Sequence, residues 1–274
     1  MTTQQVQIDF TKIKDIADKG VRRTSVFMGI GINTVLDNER VNYELTKITQ
    51  IQLMPNDVSL ETHKHFKDEF SLWIIGNGLR ELIETFKVFL DSLHHNCLLM
   101  AFHKGKLSSD ETKSFDKKYP EEGLPDKLIH LKDRFNITPK HPDYLKTINK
   151  ARNCLTHRRG IVEPVDCNDG DVLKINWLGI DIFIEEPNGK RTFIYDMPDE
   201  GLLLQQGGIV KLQFIERAKA INRGNIVNFS PRELAEICHY FLMESNSTSS
   251  SAIDFAKSIG IPFSRTGAGT ETVK

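Results

Sequence analysis

Arg152 and His157 lie five positions apart near the end of one amphipathic segment, with Asn153 directly after the arginine. These residue types can do phosphate chemistry. A planar guanidinium can hold a phosphate through its fork and stabilise negative charge as it develops. A histidine is the side chain that exchanges protons near neutral pH, so it can serve a ribose hydroxyl or a leaving oxygen. Asn153 can orient the histidine or the substrate. Lys146, Lys150, Arg158 and Arg159 flank the pair, and no Asp or Glu occurs between Tyr144 and Val162. The formal net charge is only −1. A global basic field is therefore absent, and any nucleic-acid contact must rest on this local patch, with Lys146, Lys150, Arg158 and Arg159 as phosphate-binding candidates.

The element that positions the pair is a helix starting near Pro142, with Leu145, Ile148 and Leu155 as its apolar stripe and Arg152 in register. Cations in the last turn and Gly160 beyond it form a stop signal. An arginine on an apolar stripe is costly to bury unless it meets an anion or an acidic partner. The competing reading follows: Arg152 in an internal salt bridge and the cluster as a helix cap.

Upstream, Phe66, Phe70, Trp73, Ile74, Leu79, Leu82, Ile83, Phe86, Phe89, Leu90, Leu93, Cys97 and Met100 repeat at helical spacing. Ser59 is the expected N-cap and Gly105 the stop. A single helix over 60–104 would be about 65 Å long, so it either breaks or acts as an interaction scaffold. Gly76-Asn77-Gly78 marks a kink or a close backbone approach. The aromatic stripe reads as core or dimer interface. Residues 105–123 read as a surface loop, and a short helix from Pro125 must end before Pro139.

The hydrophobic period then changes to 2. Strands are expected at Val172–Trp177, Asp181–Glu185 and Arg191–Tyr195, with a turn at Pro187-Asn188-Gly189-Lys190. Residues 209–220 fit helix or strand. Ser230-Pro231-Arg232-Glu233 is a capping box opening a helix, which the Asn246–Ser251 run should interrupt. The expected fold is mainly α (α+β), an antiparallel helical bundle over 59–262 with a small antiparallel β insertion at about 170–196. Residues 1–58 read as an N-terminal extension, with a short helix at Phe10–Ala17, a loop at Gly29–Asn33 and a strand at Lys47–Leu53. Residues 263–274 read as a flexible tail.

Other motifs carry less. His63, His65, His94, His95 and His103 lack the convergent spacing of a metal site and read as solvent or interface residues. Asp166–Asp171 has a misplaced glycine and no distal Glu for a calcium loop, so it reads as a turn. The four cysteines are scattered and read as reduced thiols. No metal and no cofactor is expected. Neither a signal peptide nor a membrane span is visible, which predicts a cytoplasmic protein.

At Arg152-Asn153-x-x-x-His157 the sequence resembles the HEPN superfamily, whose signature is Arg, four to six residues, then His, with a polar residue after the Arg, late in a helix of a bundle. The run Ala151–His157 followed by Gly160-Ile161-Val162 is similar to the form found in many bacterial members. The resemblance covers the helices of roughly residues 59–160, with the helix from Ser230 as a further candidate, and leaves out the N-terminal segment. It implies a HEPN-like bundle and a metal-independent endoribonuclease in which Arg152, His157 and Asn153 are catalytic. The 2′-hydroxyl attacks the adjacent phosphate and leaves a 2′,3′-cyclic phosphate. Phage-defence or toxin–antitoxin settings are typical, with RNA as substrate, a homodimer forming one composite cleft, and an antitoxin or defence-system partner. The alternative is a non-catalytic RNA-binding or dimerisation module on the same fold. Some toxin members carry a tyrosine two residues after the His, where this chain has Arg159. The bare spacing recurs twice, at Arg134/His141, which crosses Pro139, and at Arg232/His239, which begins at a helix N-terminus.

Overall fold

The computed structural model describes residues 7–37, 39, 52–53, 58–197, 201, 207–266 and 270–273, with side chains described up to residue 262. It is mainly helical with small antiparallel sheets. In chain order the elements are β1 (Ile8–Asp9), α1 (Phe10–Leu36), α2 (Leu60–His103), α3 (Ser109–Lys118), α4 (Leu124–Phe135) and α5 (Pro142–His157). They continue with β2 (Val172–Glu185), β3 (Arg191–Phe193), β4 (Ile209–Asn222), α6 (Pro231–Ser258), β5 (Phe263–Thr266) and β6 (Thr270–Val273). No helix among the described residues is long and apolar enough to cross a membrane. The strand expected at Lys47–Leu53 lies almost wholly outside the described residues.

The centre is α2, one unbroken helix of 44 residues, about 66 Å long. Ser59 caps it as expected. From Ile75 to Ala101 one face is buried, and α1, α5 and α6 all pack against it. Gly76 and Gly78 do not kink it; they admit neighbours. A Cβ at Gly78 would sit 2.2 Å from Met28 Sδ of α1, and one at Gly76 would meet Leu155 Cβ of α5 at 3.4 Å.

Within the expected N-terminal extension, residues 10–36 are part of the bundle. α1 runs for 27 residues, capped by Asp9, and packs on α2 and α6. Gly29–Asn33 lies inside this helix rather than in a loop. The two helices interlock antiparallel, with Gly20 against Thr85, Met28 against Gly78 and Gly31 against Ile74. Small residues on each helix receive large ones on the other, which brings the backbones close. A Cβ at Gly20 would lie 2.0 Å from Thr85 Cγ2 and 2.7 Å from Thr85 Cβ, and rotating the Thr85 side chain cannot relieve the contact with its Cβ. Overpacking of this kind costs about 1–3 kcal/mol, against about 1 kcal/mol gained in helix propensity. Gly20→Ala is therefore expected to lower the thermal midpoint by several degrees. An unchanged or raised midpoint in a melting scan would show that α1 and α2 can separate freely at this point.

Two further expectations are corrected. Residues 105–123 are not a plain loop: Ser108 and Glu111 form a capping box that opens α3. The Asn246–Ser251 run does not break α6. Two of its hydroxyls bond back to the helix itself, Ser247 Oγ and Thr248 Oγ1 donating to the Glu244 carbonyl at 3.1 and 2.6 Å. Ser247 Oγ also accepts the Lys140 N–H, which ties the approach to α5 onto α6.

The β insertion is longer than its expected 170–196. β2 is continuous through Leu178–Ile180 and pairs with β4 over 14 positions, from Val172–Asn222 to Glu185–Ile209. The ambiguous 209–220 stretch is therefore strand, decided by this pairing. β3 adds only three residues to the other edge of β2. Beyond α6, β5 and β6 form a hairpin, and β6 pairs with β1, so a β hairpin occupies the region where composition predicts a tail.

His94 is not a solvent residue. It is buried on α2, its ring stacked on Tyr119 with centroids 3.8 Å apart, and Arg134 Nη1 lies 3.0 Å from its Nε2. Burial, then repulsion from Arg134 and Lys127, lowers its pKa to about 3. In the unfolded chain the ring takes up a proton near pH 6.5. Between those values the unfolded state carries the extra proton, so stability from this residue is full above about pH 6.5 and declines as pH falls toward 3, by about 1.4 kcal/mol per unit. His94→Gln should flatten the loss of urea resistance between pH 6 and pH 4; a slope equal to that of the parent chain would refute this.

Candidate functional site

The residues singled out in the sequence sit on α5 and its exit. Leu145, Ile148, Ala151, Cys154 and Leu155 are buried, and α5 packs on α2 and β2. Two contacts fix its direction. Leu155 covers Gly76 and Arg152 meets Glu84, so α5 runs antiparallel to α2 and its C-terminal end points toward the Trp73 region.

Arg152 is 16% exposed. Its Nη2 donates to Glu84 Oε1 at 3.2 Å, a long bond to a carboxylate that is itself 45% exposed and also accepts from Lys87 at 3.1 Å. The Arg152 Nε is buried with no hydrogen-bond partner among the described residues. Burial lowers the pKa of the guanidinium, Glu84 opposes that, and Arg80 adds repulsion. A partly buried cation with an unused donor and a second arginine beside it is a place where an anion is favoured.

His157 is exposed in the last turn of α5, with no hydrogen bond or ion pair among the described residues. Asn153 is half-buried. Past the helix, Arg159 adopts a left-handed backbone (φ 52°) before Gly160 (φ 78°), whose N–H returns to the Cys154 carbonyl at 3.1 Å. The glycine stop is therefore preceded by a non-glycine left-handed residue, which costs about 1–2 kcal/mol and keeps Arg159 at the surface next to His157.

The acid-free basic patch is corrected by the fold. Carboxylates arrive from outside the 144–162 window. Arg158 makes a two-pronged ion pair with Asp166, its Nε donating at 2.7 Å and its Nη2 also bonded. Asp166 is buried; burial acts to raise its carboxyl pKa, but hydrogen bonds from Arg158 and the Glu163 N–H bring it below the usual range. Arg158 therefore fastens the 163–167 turn to the end of α5, and its fork is not free for phosphate. Lys146 pairs with Asp143 at 2.9 Å, and Lys150 reaches the Val165 carbonyl at 3.4 Å. Of the four flanking cations, Arg159 alone lacks a protein partner among the described residues.

The sequence does not mark three residues of this site as functional. Glu84 and Arg80 are one turn apart on the α2 face that receives α5. Their i, i+4 spacing is visible in the sequence, but nothing there says which helix meets it. Trp73 was assigned to the apolar stripe, yet it is 61% exposed, with Phe66 and Phe70 also exposed. Among the described residues no group of three or more His, Cys, Asp or Glu side chains could hold a metal ion. Comparison with protein families, with curated proteins and with solved structures gave no match to this chain.

Proposed function

We propose that the chain is an endoribonuclease of HEPN type that cleaves RNA without a metal, with Arg152 and His157 as the reacting pair and Asn153 in support. The single observation that carries this reading is the state of Arg152: a partly buried guanidinium whose Nε has no partner among the described residues, with one long bond to Glu84, on the same helix as an exposed His157 that makes no hydrogen bond or ion pair among them. That arrangement suits a phosphate entering between the two residues. The 2′-oxygen attacks the adjacent phosphorus, the bond to the 5′-oxygen breaks, and a 2′,3′-cyclic phosphate and a 5′-hydroxyl are left. His157 moves a proton at one of the two oxygens, and Arg152 stabilises the charge on the phosphoryl oxygens. The α2/α5/α6 packing is compatible with a HEPN-like bundle, and pairing of two copies would bring two such sites to one cleft.

A second reading has its own observation. The Arg152–Glu84 bond also clamps α5 to α2, and on that account the module binds RNA or a partner without cleaving it. Incubating the purified chain with a panel of RNAs in EDTA, and mapping the new ends, separates the two. Cyclic phosphate ends that depend on His157 support the enzyme; intact RNA throughout overturns it.

A further inference from the structure

Beside the candidate site lies a cleft of about 380 Å³ between α1 and α2. Its walls mix aromatic and cationic side chains, among them Phe27, Trp73, Arg23 and Arg80. Trp73 and Phe27 are each 61% exposed, an unusual state for large rings that no chain segment among the described residues covers. Phe70 lies against Trp73 with ring centroids 6.0 Å apart and planes within 15° of parallel, so the two rings already form a short stack. Arg23 is matched by Glu81. Arg80 has no carboxylate partner among the described residues, which leaves one exposed, uncommitted cation lining the cleft.

The placement ties this cleft to the candidate site. Trp73, Gly76 and Arg80 recur at i, i+3 and i+7, so they share one face of α2. Leu155 covers Gly76, and α5 runs toward the Trp73 end from there, so the last turn of α5 is level with Trp73 along the α2 axis. Arg80 stands close enough to Arg152 to repel its charge. A nucleotide chain held at Arg152 would thus find a second cation about one helical turn along α2 from Glu84 and flat rings about two turns beyond it, roughly 16 Å from Glu84 in all. Every base has a π-face, so such rings accept bases with little regard to sequence, while a neighbouring arginine takes the backbone.

We infer that the α1/α2 cleft is a base-stacking subsite for single-stranded RNA, with Trp73 as the platform and Arg80 as its phosphate contact. The inference rests on the reading of Arg152 and His157 as a phosphate-handling pair. It makes the substrate an unpaired strand, because bases within a duplex are already stacked and cannot reach Trp73.

The chain contains two tryptophans, and Trp177 is buried with its Nε1 bonded to Glu236 at 2.9 Å. Trp177 emits from a site that a ligand cannot reach, so a change in fluorescence on adding ligand reports chiefly on Trp73. The His157→Ala chain, used to keep RNA intact, is titrated with a 12-nucleotide oligouridine, and with tripolyphosphate as a charge without bases. Quenching by the RNA and not by tripolyphosphate is expected, and Trp73→Ala should remove the signal and raise Kd about 5- to 150-fold. Arg80→Ala should weaken binding while leaving the saturated quench in place. RNA binding that leaves the fluorescence unchanged, with an unaltered Kd in Trp73→Ala, overturns the subsite; if parent cleavage persists, the Arg152/His157 reading survives it. Quenching with no cleavage by the parent chain has the opposite meaning: the platform stands and the enzyme falls. No RNA binding at all, or a Trp73→Ala chain that changes only from dimer to monomer in light scattering, also overturns the proposal, the latter giving the face to a second copy.

Discussion

His157→Ala is expected to slow RNA cleavage by about 10²- to 10⁴-fold, the usual contribution of a positioned proton-transfer group, with no change in thermal midpoint. The size of the effect follows from the role, and the unchanged stability follows from the surroundings. His157 is exposed and contacts no polar group among the described residues, so its removal leaves nothing buried and unpaired. The measurement is single-turnover cleavage of a 5′-labelled RNA in EDTA, alongside a melting scan. A rate within about threefold of the parent would remove His157 from the reaction. Glu84→Gln sharpens the same experiment. If Arg152 handles phosphate, loosening its one protein partner leaves cleavage equal or faster. If Arg152 is only a clamp between α5 and α2, the same change lowers stability and has no bearing on RNA.

Glu236→Ala is expected to destabilise the fold by about 3 kcal/mol or more, because it breaks a buried charge network at its hub. Glu236, on α6, is buried at 7% exposure. Its Oε2 accepts from Trp177 Nε1 on β2 at 2.9 Å, and its Oε1 accepts from Arg217 on β4 and from Arg232 on α6, each at 3.2 Å. Asp181 receives the same two arginines at 2.7 and 2.8 Å. Gly179 makes this possible, since a Cβ there would stand 2.7 Å from the Arg217 side chain and 2.8 Å from Glu236 Oε2. Without Glu236, two cations would share one carboxylate and the Trp177 N–H would be buried without an acceptor, a loss of about 1–3 kcal/mol by itself. Glu236→Gln, which keeps an acceptor for Trp177, should cost less. Urea unfolding checks both: a midpoint for Glu236→Ala that matches the parent would mean that the β2/β4 pair docks on α6 through its apolar contacts alone.

The outline of the fold was legible where local chemistry decides it. Ser59, the Ser230–Glu233 box, the proline at the start of α5 and the apolar spacing of α2 act within a turn or two of the chain, and each element begins where those residues place it. The 209–222 strand was not legible, because its exposed alternation becomes a strand only by pairing with β2. The same holds for α1, whose glycines look like loop residues until Thr85 and Ile74 of α2 are seen to fill the space they leave.

For the candidate site, sequence alone determined the residue types, the Arg152–Asn153–His157 spacing and the helix end that carries them, since all three are matters of neighbours along the chain. Only the tertiary structure decided which charges remain available. An arginine's partner is chosen by distance in space, and Asp166 and Glu84 come from beyond the acid-free window to occupy Arg158 and part of Arg152, while Asp143, one turn before Lys146 on the same helix, pairs with it locally. What is left for an anion is narrower than the basic run implied: the unpaired edge of Arg152, with His157 and Arg159 at the helix end and Arg80 across on α2.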